Sequence, residues 1–293
     1  MVKPLYGETL RAYQILTRLA EKHDMSLLCF SRDGHNPSEV TQQLSGISSV
    51  RLVNHSKTTS ILKSFLSLPT ATPAQVAFLS SRAMRRVVSE TVDSFKPDLV
   101  FIHMARMAQY AEGISGIPIA LDLVDSFSLH IGSYAGLGAM RSPFLMRIET
   151  KKMAKYECQW VSRANLSFAA SERDVEAVKN SPYYTSGRIE ILPNGVDTDY
   201  FTPQKVEKDN SIVFVGNLGY PPNEDAVLWF VNDIFPLVLK RVPSARFVVV
   251  GMNAPPNVLA LAEQSQIEVT GEVPDVRPYL WRAAVSVAPW TLL

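Results

Sequence analysis

Glycine follows three apolar runs in the second half of the sequence, at Val215-Gly216, Val250-Gly251 and Thr270-Gly271. Because glycine has no side chain, the backbone after such a strand and the amino end of the next helix can approach a phosphate closely. Each glycine alone fits an ordinary turn, but three at corresponding positions favour a nucleotide site. The sequence contains no complete G-x-G-x-x-G, which argues against a dinucleotide-dependent dehydrogenase.

A second signal is the run Ile191-Leu-Pro-Asn-Gly-Val-Asp197, which separates two series of strands and helices. Pro193 fixes φ ahead of a turn, and Asn194-Gly195 is expected to supply positive φ. Asp197 can cap this turn through its carboxylate. We therefore expect a rigid joint between two domains, residues 1–190 and residues 191–293.

The elements around this joint predict an α/β protein with two doubly wound, Rossmann-like domains. Parallel sheets covered by helices bind ligands at the carboxyl ends of their strands, so we expect the site in a cleft between the domains. Apolar runs predict strands over residues 25–30, 50–54, 98–103, 117–124, 165–170, 188–192, 211–215, 245–250, 266–270 and 285–288. Helical spacing predicts helices over residues 9–22, 73–95, 106–113, 143–163, 223–241, 258–264 and 276–283.

Composition limits the function classes. The chain has 293 residues, 46% hydrophobic and 19% charged, with a formal net charge of +1, which gives no global attraction to nucleic acid. Cys29 and Cys158 belong to no C-x-x-C pair, so we expect a reducing compartment and no zinc site. No apolar run is long enough to cross a bilayer, and we expect a cytoplasmic protein. The stretch Ile61–Leu79 fits either a helical hairpin on the core or a contact with the inner face of a membrane.

The joint also carries a family resemblance. Its residues Asn194-Gly-Val-Asp-Thr-Asp-Tyr-Phe-Thr-Pro203 resemble the N-x-V-D-x-x-x-F-x-P signature of the group 1, or family 4, glycosyltransferases, which have the GT-B fold. The runs 121–126 and 214–226 resemble a subgroup linked to exopolysaccharide biosynthesis. The resemblance implies a hexosyl-type transferase that retains configuration, with a nucleoside diphosphate sugar as donor and a glycan, lipid-linked or small-molecule acceptor. It implies no metal and no cofactor beyond the donor.

The resemblance also suggests site residues. Asp125 stands where many members have a catalytic histidine, and His130 follows it, so both are candidate catalytic residues. Asp125 could instead cap a helix with Ser126, Arg11 could be an ordinary solvated residue, and His103 could be buried rather than lining the cleft. The candidate substrate-binding residues are Gly7, Arg11, His103, Ser171, Asn194, Gly195, Gly216, Asn217, Gly251 and Gly271.

Two departures from the family pattern weaken the expectation of activity. Residues 216–222 contain no basic residue to hold a diphosphate, and no E-x7-E follows the last predicted strand. Glu149 and Glu157 have that spacing, but they lie in a first-domain helix, where exposed charge is the ordinary explanation. Only Met1–Pro4 precede the Gly7 loop, too few for a central first strand. We therefore expect a fragment with weak or no catalysis; the alternatives are a sugar-nucleotide epimerase and a non-catalytic nucleotide-sugar or glycan-binding module.

Overall fold

The computed structural model describes residues 7–31, 46–134 and 142–289. The chain divides into two compact units, Met1–Asn194 and Gly195–Leu293. Each unit has helices packed on parallel β-sheet, which confirms the predicted α/β class. The expectation about a first strand concerns Met1–Pro4, which lie outside the described residues.

The first unit contains six described strands in two parallel sheets. One sheet has the order β1-β2 and the other has the order β3-β4-β5-β6. The strands are β1 (Ser26–Ser31), β2 (Ser49–Asn54), β3 (Val100–His103), β4 (Ile119–Asp122), β5 (Leu166–Ala169) and β6 (Ile189–Ile191). The helices are α1 (Gly7–Ala20), α2 (Lys57–Ser67), α3 (Ala74–Phe78), α4 (Arg82–Phe95), α5 (Phe127–Tyr134), α6 (Pro143–Arg163) and α7 (Glu172–Lys179), with a 3-10 segment at Ala105–Ala111.

The predicted helix over residues 73–95 is two helices, α3 and α4. The break follows from capping, because the Ser81 side chain accepts a hydrogen bond from the Met84 amide and starts α4. The sequence patterns missed α5 and α7, and they gave α2 only as part of a possible helical hairpin over Ile61–Leu79. Helices α5 and α7 have only eight residues each, too few for a helical period to stand out.

Helix α2 has an inverted distribution of polar and apolar residues. Its buried side chains are Ser60 and Ser67, and the Ser64 hydroxyl donates to the Ala74 carbonyl at the start of α3. Its large apolar side chains face solvent instead. They are Ile61, Leu62, Phe65 and Leu66, each at least half exposed. The helix therefore packs through serines, and the expectation that its apolar residues pack on the core is wrong for these four residues.

Helix α6 buries both glutamates that were expected to be exposed. Glu149 and Glu157 are each 1% exposed, and Met153, between them on the same side, is fully buried. A spacing of four residues keeps a side chain on one stripe of a helix, and this stripe faces the core. The Glu149 carboxylate accepts from the Gln75 amide at the start of α3. The expectation of exposed charge was therefore wrong, because this carboxylate serves the amino end of another helix.

The second unit contains a single described sheet with the order β10-β7-β8-β9, all parallel. Phe230, Phe235 and Phe247 pack against one another in its core, with 4.6 Å between the ring centroids of Phe230 and Phe247. The strands are β7 (Ser211–Val215), β8 (Arg246–Val250), β9 (Ile267–Gly271) and β10 (Val285–Ser286). The helices are α8 (Pro221–Trp229), α9 (Phe235–Arg241), α10 (Pro256–Leu259) and α11 (Arg277–Arg282), with a π segment at Phe230–Ile234 and a 3-10 segment at Ala260–Glu263.

Candidate functional site

Asp122 is the centre of a buried polar cluster at the carboxyl end of β4. Its side chain is fully buried and accepts two hydrogen bonds from Arg11, at 2.9 Å from Nε and 3.0 Å from NH2. His103, at the end of the neighbouring β3, donates from Nδ1 to the same carboxylate at 3.2 Å. Burial opposes ionisation of Asp122, but the hydrogen bonds from His103 and Arg11 outweigh it and lower its pKa. Arg11 is thus buried and paired, rather than solvated.

The same guanidinium reaches the joint. Arg11 NH1 donates to the Asn194 side-chain oxygen at 2.9 Å. Neither Asn194 nor Gly195 has positive φ, so the predicted Asn-Gly turn is wrong. The turn lies further along, where the Asp197 carboxylate accepts from the amides of Asp199 and Tyr200 at 3.1 and 3.0 Å. Asp197 thus caps a later turn than the predicted one, while residues 192–196 are irregular backbone held at Asn194 by Arg11.

Backbone strain marks the same edge of the sheet. Met104 follows β3 with φ 73°, and Val124 lies two residues beyond β4 with φ 68°. Positive φ is unfavourable for residues with a Cβ, and strongly so for a β-branched valine. The Met104 amide donates to the Asp122 carbonyl at 2.7 Å, which helps to hold this conformation. Strained residues of this kind occur preferentially at functional sites, where the surrounding structure compensates the cost.

His130, on α5, is paired with a carboxylate on α7. Its Nε2 lies 3.1 Å from Asp174 Oδ1, and this hydrogen bond is the main cause of the raised pKa of His130. Asp174 is 3% exposed and also accepts from the Ser171 hydroxyl. Ser171 caps α7, since its side chain accepts from the Asp174 amide at 3.2 Å. Two predicted site residues thus belong to one charged cluster with a structural function.

Asp125 lies half-buried between these two clusters. Burial is the main cause of its raised pKa, followed by repulsion from Asp174, and Arg11 and His130 oppose the rise. Its carboxylate makes no hydrogen bond to the part of the chain that the structure describes. The alternative in which Asp125 caps a helix is wrong, because the first amides of α5 donate to another carboxylate. Asp125 is therefore a carboxylate whose oxygens are not committed to the fold.

Glu157 is the carboxylate that holds the start of α5. It accepts from the backbone amides of Phe127 and Ser128 at 2.6 and 3.3 Å, and from the hydroxyls of Ser128 and Ser126 at 2.6 and 3.4 Å. Complete burial raises its pKa to about 7 despite these donors. Glu157 thus fixes the segment that carries Asp125 and His130.

In the second unit, the three predicted glycines lie side by side at the carboxyl edge of β7, β8 and β9. The Gly216 amide donates to the Val250 carbonyl at 3.0 Å, and the Gly251 amide donates to the Gly271 carbonyl at 3.1 Å. A Cβ on Gly251 would lie 1.7 Å from the Gly216 carbonyl oxygen, so no other residue fits there. Gly271 has φ 70°, in the region that favours glycine. The result is an edge of exposed backbone with few side chains.

Asn217 organises the loop between β7 and α8. Its side-chain oxygen accepts from the Gly219 amide at 3.1 Å and from the Asn253 amide group at 3.3 Å. Its own Nδ2 donates to none of the described residues. The loop ends at Pro221 and Pro222, which have no N–H, so the amino end of α8 offers its dipole but few amide donors.

Several residues of these clusters escaped the sequence analysis, chiefly Asp122, Glu157 and Asp174. Asp122 carried a usable signal, because a carboxylate at the end of a fully apolar strand requires a buried cationic partner. Among the described residues, no group of three or more His, Cys, Asp or Glu side chains could hold a metal ion. None of the described helices is both long and apolar enough to span a bilayer.

Comparison with known proteins places this geometry in context. Residues 209–291 match the family model described as "Glycosyl transferases group 1". An α,α-trehalose-phosphate synthase (UDP-forming) from Burkholderia xenovorans is similar in structure, with a TM-score of 0.55 and 12% identity over 98% of this chain and 76% of that chain. Anabaena Alr3699/HepE, solved with UDP-glucose, has a TM-score of 0.52 and 12% identity over 89% and 73%.

These similarities confirm the predicted GT-B fold, in which both units are Rossmann-like. The chain covers only 39% of the length of the pneumococcal O-GlcNAc transferase GtfA, solved with UDP and GlcNAc, at 14% identity, a TM-score of 0.46 and 71% coverage of this chain. The search of curated protein sequences returned no match.

Proposed function

We propose that the protein is a glycosyltransferase that moves a sugar from a nucleoside diphosphate sugar to an acceptor. The observation that carries the proposal is the group 1 family match over residues 209–291, which spans the strand edge of Gly216, Gly251 and Gly271. Two proteins of similar fold support this choice of donor, since one was solved with UDP-glucose and the other is a UDP-forming synthase.

The donor diphosphate requires compensation of its charge, and residues 216–222 contain no basic residue. We assign part of this task to the Asn217 Nδ2 group, together with the dipole of α8, which has nine residues. The glycine edge lets the nucleotide lie directly against backbone. Replacing Asn217 with aspartate places a negative charge beside the phosphates and should weaken donor binding by about tenfold or more. Asn210→Asp, on the same unit, is the matched control.

In this proposal the first unit binds the acceptor. Asp125 accepts a hydrogen bond from the acceptor hydroxyl or from the transferred sugar, and His130 lies close enough to influence its charge. The wall of this site is formed by Arg11, His103 and Asn194. The Asp122 carboxylate holds Arg11 and His103 in place, and Arg11 in turn holds Asn194. Retention of configuration, a hexosyl donor and a role in exopolysaccharide biosynthesis are finer parts of the proposal, which rest on the sequence resemblance.

A second candidate function is that of a module that binds a nucleotide sugar without catalysing sugar transfer. Measurement of turnover distinguishes the two functions. The missing basic residue near Gly216 favours that alternative. Because of the two departures from the family pattern, we expect only weak release of nucleoside diphosphate from a UDP-, GDP- or ADP-sugar in the presence of a glycan or lipid-linked acceptor. Asp125→Asn should lose most of that activity. Donor binding without release of diphosphate from any acceptor mixture would establish the binding module instead.

We further propose that α2 contacts the inner face of a membrane and brings the enzyme to a lipid-linked acceptor. Its exposed apolar residues lie within one helical turn and a half, at positions 61, 62, 65 and 66. The sequence has no Asp or Glu from Val40 to Ser89, while Lys57 and Lys63 lie on the helix itself. An apolar face bordered by cations is typical of helices that lie in the surface of an anionic bilayer.

Sedimentation with lipid vesicles tests this membrane contact. We expect binding to vesicles that contain phosphatidylglycerol and weaker binding to pure phosphatidylcholine. Leu62→Asp should reduce the bound fraction about tenfold, because a leucine contributes roughly 1.5–3 kcal/mol on burial. Leu237→Asp is a matched control, since Leu62 and Leu237 are both 59% exposed and Leu237 lies on the second unit. Equal loss in both variants would contradict a contact through α2.

A further inference from the structure

Asp125 lies where an aspartate normally caps the backbone that follows it. An aspartate often accepts hydrogen bonds from the amides two and three residues ahead, and Asp197 of this chain does so at 3.1 and 3.0 Å. Phe127 and Ser128, the first two residues of α5, stand in the same relation to Asp125. Local chemistry therefore favours an Asp125 side chain that turns back onto the start of α5.

In the structure a carboxylate from another helix takes both of these amides. Glu157 of α6 accepts at Oε1 from the amides of Phe127 and Ser128, at 2.6 and 3.3 Å. The amide just before them, that of Ser126, donates to Asp174 of α7 at 2.9 Å. Three successive amides are thus committed to carboxylates of α6 and α7, and none of them is left for the aspartate that precedes them.

The two oxygens of Glu157 have different kinds of partner. Oε1 accepts from the two amides, whereas Oε2 lies 2.6 and 3.4 Å from the hydroxyls of Ser128 and Ser126. A hydroxyl can donate or accept, so a proton on Oε2 can reverse a hydroxyl bond while both amide bonds stay in place. Burial raises the pKa of Glu157 to about 7, and the ionised and the neutral forms can both hold α5.

The elements packed on α6 also carry charged groups, and each of these groups has a partner other than Glu157. The groups with their partners are His130 with Asp174, Asp122 with Arg11, and Arg106 with Gln75 and the Phe127 ring. The donors to Glu157 are two amides and two hydroxyls, all neutral. Ionisation of Glu157 therefore changes hydroxyl directions and disrupts no ion pair among the described residues.

We propose that Glu157 is a positioning residue that caps α5 in place of Asp125 and so keeps the Asp125 carboxylate available to the acceptor. This inference rests on the acceptor role proposed for Asp125. That carboxylate is half-buried and makes no hydrogen bond to the described part of the chain. Without Glu157, the amides of Phe127 and Ser128 would lose their acceptor, and Asp125 could replace it by turning onto α5. Its oxygens would then no longer face the acceptor.

Glu157→Met tests the capping directly, because methionine has a similar length and cannot accept these bonds. We expect Asp125 to cap α5 in this variant, so the pKa of Asp125 should fall from above its ordinary value of 3.8 to below it. Carbon-13 NMR titration of the aspartate carboxyls measures this, with the signal assigned through Asp125→Asn. Glu157→Gln should restore the raised pKa, since its amide oxygen can accept from both amides while its NH2 group donates to the hydroxyls.

The matched control is Glu149→Met. Glu149 and Glu157 are each 1% exposed and lie on the same side of α6, but Glu149 accepts from the Gln75 amide at the start of α3. This variant should leave the pKa of Asp125 above 3.8. If Glu157→Met does not fold, NMR coupling across the hydrogen bond decides in the unchanged chain. Coupling of the Phe127 amide nitrogen to the Glu157 carboxyl carbon supports the proposal, and coupling to the Asp125 carboxyl carbon overturns it.

Acceptor kinetics test the consequence for the reaction. Glu157→Met should lower kcat/KM for the acceptor about tenfold or more and leave the Kd of the nucleotide sugar unchanged, whereas Glu149→Met should change neither. The proposal is overturned by an unchanged pKa of Asp125 in Glu157→Met, by an equal fall in Glu149→Met, or by a fall with unchanged acceptor kinetics. Absence of turnover in the unchanged chain would contradict the proposed transferase function instead, and the pKa of Asp125, measured without substrate, would still decide whether Glu157 displaces Asp125 from α5.

Discussion

Replacing Asp122 with asparagine tests whether one buried ion pair holds α1 and the joint at the edge of the sheet. Asp122 is fully buried and Arg11 is 8% exposed, so solvent screens their interaction little. Asparagine offers a single acceptor where Arg11 and His103 now donate to two oxygens, and the guanidinium loses its counter-charge. Removing one partner of a buried pair costs about 3–5 kcal/mol. We expect the Asp122→Asn variant to lose that much free energy of unfolding in the first unit.

A second substitution separates the lost pair from simple misfolding. Arg11→Met in the Asp122→Asn background removes the unpaired charge, so the double variant should regain about half of the loss. Glu190→Gln is the control, because the Arg188–Glu190 pair is exposed, at 68% and 46%, and should cost no more than about 1 kcal/mol. Native-state hydrogen exchange of the β4 amides measures the free energy of unfolding of the first unit separately from that of the second unit. A loss in Asp122→Asn no larger than in Glu190→Gln would refute the reasoning.

Lowering the pH should also remove the stabilisation that the ionised Asp122 carboxylate gives to the first unit. The pKa of Asp122 is lower in the folded chain than the ordinary value of 3.8 for an aspartate. A carboxylate of this kind stabilises the fold above its unfolded pKa and loses that contribution as the pH falls through its folded pKa. The difference in unfolding free energy between the unchanged chain and Asp122→Asn should therefore shrink as the pH falls below about 4.

Three further predictions follow from the same structure. Burial raises the pKa of Glu157 from the ordinary value of 4.5 to about 7 in the folded chain. The free energy of unfolding should therefore fall by roughly 3 kcal/mol as the pH rises from 4.5 to above 7, and Glu157→Gln should flatten that dependence in urea titrations. Gly251→Ala should destabilise the second unit by about 2 kcal/mol or more in thermal unfolding, whereas Gly113→Ala, where an added Cβ meets no atom within 4 Å, should be nearly neutral. The pKa of His130 should lie above 6.5 in an NMR titration, and Asp174→Asn should lower it; an unchanged value would exclude the pairing.

The sequence predicted the architecture well because strand and glycine signals are local. All ten predicted strands are present, and the three glycines lie side by side as expected. Apolar runs that are buried on both faces depend little on distant partners. The Asn-Gly turn was wrong because a long-range bond from Arg11 to Asn194 holds the joint, and local turn preference cannot include such a contact.

The polar clusters were less predictable for the same reason. Glu157 looked like exposed helical charge because helix periodicity gives a direction but not the element that covers it. Its partners lie about 30 residues earlier, at the start of α5. Helix α2 shows the opposite error, since serines face the core and leucines face solvent. An apolar stripe on a helix is normally interpreted as the side that packs on the core. That interpretation fails where apolar side chains form an exposed patch, as they do on α2.

Titration of the full chain with nucleotide sugars tests the central claim most directly. Isothermal calorimetry with UDP-, GDP- and ADP-sugars should show saturable binding of at least one donor, and Asn217→Asp should weaken it by about tenfold or more while Asn210→Asp binds as the unchanged chain does. Absence of binding heat with every donor, in a chain shown to be folded by hydrogen exchange, would contradict the assignment of the glycine edge to a nucleotide sugar.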